Sequence, residues 1–194
     1  MLSERFADAL TYAEGLHRSQ LRKGTHIPYV AHLLAVTATV LEWTDDEDTA
    51  IAALLHDAVE DQGGEATANE IRNRYGDHVA DLVLACTDSH ASEVGDKAPW
   101  EERKRAHLAA LHSASAEVAL ITAADKLHNV SCMIRDLRRD GPMTLQRFRE
   151  PDRLGWYYAA IVGALGGHAD TAPINELRTQ VAEFARLITP TIVR

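Results

Sequence analysis

The chain has 194 residues, of which 46% are apolar, with two cysteines and a formal net charge of −9. That is enough apolar chain for one sizeable core, and the acidic balance repels nucleic acid and nucleotides alike, so a polyanionic substrate would need a cation and a local basic patch. So few cysteines argue against a disulfide framework and for a reducing cytoplasm, and neither a membrane span nor a secretory leader stands out.

Ser3 is placed to cap a first helix carrying Phe6, Leu10, Ala13 and Leu16, expected to run to about Leu21 and stop at Arg22-Lys23-Gly24-Thr25. Pro28 then opens a second helix, with His32 set among Leu33, Val36, Val40 and Leu41. Thr44 or Asp45 is the expected cap of a third helix, which reaches Gln62-Gly63-Gly64. Short helices are expected over 67–75, closed by Gly76, and over 77–87, with Val79, Leu82, Val83 and Cys86 inward. Asp88 to Pro99 is polar and reads as a surface loop. A basic amphipathic helix follows from Trp100 to His112, and a long apolar one from Glu117 to Leu137, interrupted by Asp125, Lys126 and Asn129. After a turn at Asp140-Gly141-Pro142 come a helix with Trp156-Tyr157-Tyr158 and an amphipathic helix from Pro173 to about Ile188. There is no alternating strand pattern and no internal repeat. The expectation is an all-α, compact bundle of roughly eight to ten helices, with residues 1–194 forming one domain.

One stretch stands apart: Leu54-Leu55-His56-Asp57-Ala58-Val59-Glu60-Asp61. On an unbroken helix, with His56 at 0°, Glu60 falls near about 40°, Asp57 near about 100° and Asp61 near about 140°. An imidazole and three carboxylates then share one face of an apolar helix, which is costly unless they are solvated or paired. A bound cation resolves that cost; a solvated amphipathic face is the plainer alternative. Two further residues are polar inside apolar helices. Asp125 lies within Val118-Ala119-Leu120-Ile121-Thr122-Ala123-Ala124-Asp125-Lys126-Leu127, and His32 faces the same way as Val36. Taken singly, Asp125 could pair with Lys126, and His32 could be a core histidine bonded to backbone. Taken together, His32, His56, Asp57 and Asp125 offer nitrogen and carboxylate oxygen, a set suited to Mn²⁺, Fe²⁺ or Zn²⁺ rather than Mg²⁺.

The order His32 … His56-Asp57 … Asp125 resembles the HD superfamily of metal-dependent phosphohydrolases. More narrowly, five motifs resemble the hydrolase domain of the alarmone enzymes that remove pyrophosphate from (p)ppGpp: Arg22-Lys23-Gly24-Thr25 with Pro28-Tyr29-Val30-Ala31-His32, the stretch 54–61, Tyr75-Gly76, Glu102-Arg103-Lys104-Arg105 and Ala124-Asp125-Lys126-Leu127-His128-Asn129. The likeness spans about residues 5–137, with a helical extension over about 143–194.

This resemblance implies a stand-alone small alarmone hydrolase yielding GDP or GTP and pyrophosphate. It implies that His32, His56, Asp57 and Asp125 hold one Mn²⁺, while Glu60 and Asp61 position and deprotonate the attacking water. Arg22 and Lys23 match the nucleoside-binding pair, and Asn129 matches a residue near ribose and phosphates. Arg103, Lys104 and Arg105 are candidates for the 5′ phosphates, or else a solvated helix face. Ser131 and Cys132 depart from the basic and small hydroxylic residues common in the family, and His26 and Ile27 depart from the usual filler before Pro28-Tyr29. An adenine alarmone such as pppApp, a nucleoside monophosphate, or a catalytically silent nucleotide-binding role therefore stay open as alternatives. His17, His78, His90, His107, His112, His128 and His168 read as surface or packing residues, as do both cysteines as packing. The sequence leaves the oligomeric state open, although the C-terminal aromatic and apolar helices could cover an interface.

Overall fold

The structure, a computed structural model, describes residues 1–87, 98–168 and 172–189. Most of the loop expected over 88–99 lies outside the described residues. Among those described there are ten α-helices and no strand: α1 Glu4–His17, α2 Val30–Leu41, α3 Glu47–Leu55, α4 Ala58–Asp61, α5 Gly64–Tyr75, α6 Asp77–Cys86, α7 Trp100–Leu111, α8 Ala116–Asp140, α9 Leu154–Leu165 and α10 Ala172–Ile188. Two 3-10 turns, Pro142–Arg147 and Pro151–Arg153, lead from α8 into α9; the sequence pattern does not reveal them.

The axle is α8, which packs against α2, α3, α6, α9 and α10. Ser115 caps it, accepting from Val118 N, and Gly141 at φ +78 stops it. Ile121 and Val130 of α8, Leu33 and Val36 of α2, Leu54 of α3, Ile161 of α9 and Phe184 of α10 are all fully buried in one continuous core. The apolar faces of α9 and α10, candidates for an interface from sequence, are largely covered within the chain: Leu165, Leu177 and Phe184 have no exposed surface.

Two departures from the expected elements shape the site. First, α1 ends at His17, four residues before the expected Leu21. The chain instead folds into a tight loop in which Arg22 N donates to Ile27 O (2.8 Å) and Tyr29 N to Gln20 O (2.9 Å). Gly24 makes this possible: its φ is +69, and a Cβ there would lie 2.9 Å from Arg147 Cδ. Arg22 and Lys23 consequently sit on a loop rim rather than at a helix end.

Second, the expected third helix is not continuous. It starts after Asp46, whose carboxylate accepts from Thr49 N (2.8 Å) and Thr49 Oγ1 (2.5 Å), and stops at Leu55. His56 Nδ1 lies 2.8 Å from Ala53 O, the carbonyl that a continuing helix would pair with Asp57 N–H. The ladder is interrupted there, Asp57 adopts φ −97, ψ −3, and the short α4 resumes with Asp61 N on Asp57 O (3.0 Å).

Candidate active site

Three elements converge on one point. His32 lies in the first turn of α2, His56 and Asp57 in the break between α3 and α4, and Asp125 in the middle of α8. Ligand atoms of His32, His56 and Asp57 all fall within 4.8 Å of one another. His32 Nε2 is 3.5 Å from Asp57 Oδ2 and 3.2 Å from Asp125 Oδ1; His56 Nε2 is 3.1 Å and 3.9 Å from the same two atoms. Both Nε2 atoms are buried and have no hydrogen-bond partner among the described residues. Two orphaned imidazole nitrogens facing two carboxylates are costly in isolation and fit a divalent cation well.

The other ring nitrogens are already committed, which fixes the orientation of the rings. His56 Nδ1–H is placed to donate to Ala53 O. His32 Nδ1 is 2.7 Å from His128 Nδ1, and His128 Nε2 is 3.6 Å from Cys132 Sγ. Burial, with the His32 ring and the Arg22 guanidinium nearby, pushes His128 down to about 4, so it is a neutral acceptor for His32 Nδ1–H. Each ligating candidate thus turns its Nε2 inward, the usual arrangement behind a metal-bound histidine. His128 is therefore no mere surface or packing residue, as the sequence suggested: it holds His32 in place.

The charges agree with this geometry. Burial alone would lower His56, yet the Asp57 and Asp125 carboxylates outweigh it and lift the imidazole to about 9. Burial opposes ionisation of Asp57 and Asp125, but the surrounding cationic groups hold both well below the usual carboxylate range. The centre is therefore a place where positive charge is stabilised.

A second ring of contacts supports the first. Tyr29 Oη donates to Asp57 Oδ2 (2.5 Å), and its ring stacks on the buried His17 with centroids 5.1 Å apart. His17 Nδ1 pairs with Gln20 Oε1 (2.7 Å), and Gln20 Nε2 donates to Asp61 Oδ2 (2.8 Å). On the other side, Asp125 Oδ2 accepts from Lys126 Nζ and Oδ1 from Asn129 Nδ2, while Arg22 Nη2 donates to Asn129 Oδ1. The ion pair with Lys126 that the sequence raised as an alternative for Asp125 thus coexists with the inward-facing oxygen. Tyr29 was visible in a motif, whereas His17 and Gln20 carry no sequence signal because only the loop over 18–29 brings them here.

A small chamber beside the centre is lined by His56, Asp57, Glu60, Asp125, Lys104 and Tyr157, among others. Cys86 borders it too, but burial pushes its thiol up to about 12, so it stays protonated and inert. Lys104, Lys126 and Tyr157 also border a wide cleft of about 1140 Å³ that contains Arg22, Lys23, His32, Asp61 and Asn129. The structure thereby gathers most of the expected site residues. Two further basic residues of α7 stand apart from the cleft. Arg103 reaches toward Glu60 (3.8 Å), and the exposed Arg105 is held by Glu101 (2.8 Å), so neither lines the cleft.

Fold and site together define a class, and the chain belongs to it: this is a member of the HD domain family, whose model matches residues 9–147. That family implies a divalent-metal site. The chain is similar to the guanosine-3′,5′-bis(diphosphate) 3′-pyrophosphohydrolase MESH1 of Drosophila melanogaster, with 32% identity over 87% of this chain and 89% of that protein. It also resembles the GTP pyrophosphokinase rsh of Brucella melitensis biotype 1, 33% identical over 94% of this chain but 22% of that longer protein. A solved structure described as a metazoan ortholog of SpoT that hydrolyzes ppGpp superposes with a TM-score of 0.74 at 30% identity, covering 96% of both chains.

Proposed function

We propose that this chain is a Mn²⁺-dependent (p)ppGpp 3′-pyrophosphohydrolase, converting ppGpp or pppGpp to GDP or GTP and pyrophosphate and so attenuating alarmone signalling. The observation that carries the reading is the pair of buried Nε2 atoms of His32 and His56, without a hydrogen-bond partner among the described residues, facing Asp57 and Asp125. The likeness to MESH1 over nearly the whole of both chains supports the guanine alarmone as substrate.

His32, His56, Asp57 and Asp125 are the metal ligands in this reading. Imidazole nitrogen with carboxylate oxygen suits Mn²⁺, and also Fe²⁺ or Zn²⁺. When bound, a divalent ion supplies Lewis acidity, easing proton loss from water and drawing charge off the phosphoryl group. Glu60, in the chamber beside Asp57, takes the proton of the attacking water, and Asp61, oriented by Gln20, holds that water in line. The water oxygen attacks the phosphorus attached to ribose O3′; the P–O3′ bond breaks, O3′ regains a proton, and the diphosphate departs as pyrophosphate. Arg22 and Lys23 bind the nucleoside end of the cleft, Asn129 the ribose and phosphates, and Lys104 a phosphate near Glu60. Arg103 acts through Glu60.

The chain works as one HD domain in which the helices after residue 143 complete the core, as burial of Leu177 and Phe184 supports. Its partner is a small nucleotide rather than nucleic acid or membrane; no helix among the described residues is long and apolar enough to cross a bilayer. The free thiols Cys86 and Cys132 accord with a reducing cytoplasm.

Product analysis tests this reading. Mn²⁺-loaded protein is given ppGpp, pppApp and GMP in parallel, with Glu60→Gln as the control. The expected products are GDP and pyrophosphate from ppGpp, with turnover reduced by about 10²- to 10⁴-fold in the control. Turnover confined to pppApp or GMP would overturn the guanine assignment while keeping the metal centre. Tight binding with no turnover on any of them would make the protein a nucleotide sensor.

A further inference from the structure

Tyr157 of α9 is 5% exposed, and its hydroxyl is buried with no hydrogen-bond partner among the described residues. A buried hydroxyl left unsatisfied is destabilising, so its retention calls for a partner that arrives with a ligand. The ring is held on several sides. It packs edge-on against Trp100 (centroids 5.8 Å apart) and Tyr158 (5.7 Å), with Lys104 Nζ 4.9 Å from its centroid. Two carboxylates that line the chamber already have donors, Asp57 from Tyr29 and Asp125 from Lys126 and Asn129.

Its position makes the orphaned hydroxyl informative. Tyr157 borders both the chamber holding Asp57, Asp125 and Glu60 and the wide cleft, and the ammonium-bearing Lys104 and Lys126 border the same two spaces. Two cationic side chains beside one hydroxyl donor form a setting for an anionic oxygen acceptor, and a phosphoryl oxygen is the acceptor that a nucleotide cleft presents. Tyrosine offers this acceptor a donor without adding charge, on a ring that is locked before the ligand arrives.

We propose that Tyr157 is a substrate-binding residue whose Oη–H donates to a phosphoryl oxygen of the 3′ diphosphate, fixing that group between the metal centre and the two lysines. This rests on the reading of the site as a nucleotide pyrophosphohydrolase. Because the bond exists in the bound ground state as well as in the transition state, it acts chiefly on KM.

The test compares the full-length wild type with Tyr157→Phe, which keeps the ring and removes only the hydroxyl. The expected result is a KM for ppGpp raised by about tenfold with kcat within about twofold of wild type. Mn²⁺ affinity stays equal, and the melting temperature is equal or higher, because the buried unsatisfied group is gone. An unchanged kcat/KM in a normally folded variant would overturn the proposal while leaving the hydrolase reading intact. A second measurement does not depend on turnover: inorganic phosphate is titrated against Mn²⁺-loaded protein and binding is followed by ³¹P line broadening. Weaker phosphate binding in Tyr157→Phe, by about tenfold, supports the contact even if the wild type proves inactive on ppGpp; equal binding would sink it.

Discussion

At the scale of single residues, the site is a set of ring nitrogens and carboxylates aimed by their neighbours. His32 and Asp125 stood out in the sequence as polar residues inside apolar helices, and His56 and Asp57 as part of a charged face on another. His128 was not, since a histidine on a long helix looks alike whether it meets solvent or another imidazole. Only the packing of α2 against α8 brings its Nδ1 to 2.7 Å from that of His32. Removing this acceptor leaves His32 free to rotate. His128→Ala is expected to weaken Mn²⁺ binding by about 10- to 100-fold, with His128→Gln partly restoring it, as read by competition with a fluorescent chelator. Equal affinities for the three proteins would show that His32 needs no support.

At the scale of elements, the helices follow their caps and breaks. An unbroken helix would put His56, Asp57, Glu60 and Asp61 on one face, but the actual geometry depends on the interruption at His56 and Asp57, which no periodicity announces. The interruption comes from a side chain competing for a backbone carbonyl, His56 Nδ1 on Ala53 O. It places Glu60 in the chamber and Asp61 in the cleft. The start of α3 is a cap that titrates. Hydrogen bonds from the Thr49 hydroxyl and amide hold Asp46 below its ordinary value of 3.8. With the folded value depressed, its contribution is complete above the unfolded value and is lost as pH falls through the folded one. Asp46→Ala is therefore expected to cost about 1 kcal/mol near neutral pH and to converge on wild type in strong acid. Denaturant melts at several pH values check this, and a deficit independent of pH would mean that the cap acts through something other than its charge.

At the scale of the whole molecule, the site depends on α8 being held by the helices packed on it, α2, α3, α6, α9 and α10. The sequence marked the last two helices but not their importance, because the motifs that carry the likeness end at about residue 137 and an amphipathic helix does not say what it packs on. In the fold, α10 lies along α8 with Phe184 fully buried, beside Tyr158 at a centroid distance of 5.9 Å. Phe184→Ala is expected to destabilise the protein by about 3–5 kcal/mol in urea melts. A loss under about 1 kcal/mol would mark α10 as a loosely attached appendage. The cleft also explains how a chain of net charge −9 can accept a polyanion. Arg22, Lys23, Lys104 and Lys126 are gathered on its walls, so the local field opposes the global one.

The most direct test is a Mn²⁺ titration of metal-stripped protein, following ppGpp turnover and bound metal together, with Asp125→Asn alongside. Turnover should rise in step with binding of a single Mn²⁺ to the wild type, and the variant should show neither. Full turnover by the metal-free protein, or by Asp125→Asn, would contradict a reaction centred on His32, His56, Asp57 and Asp125.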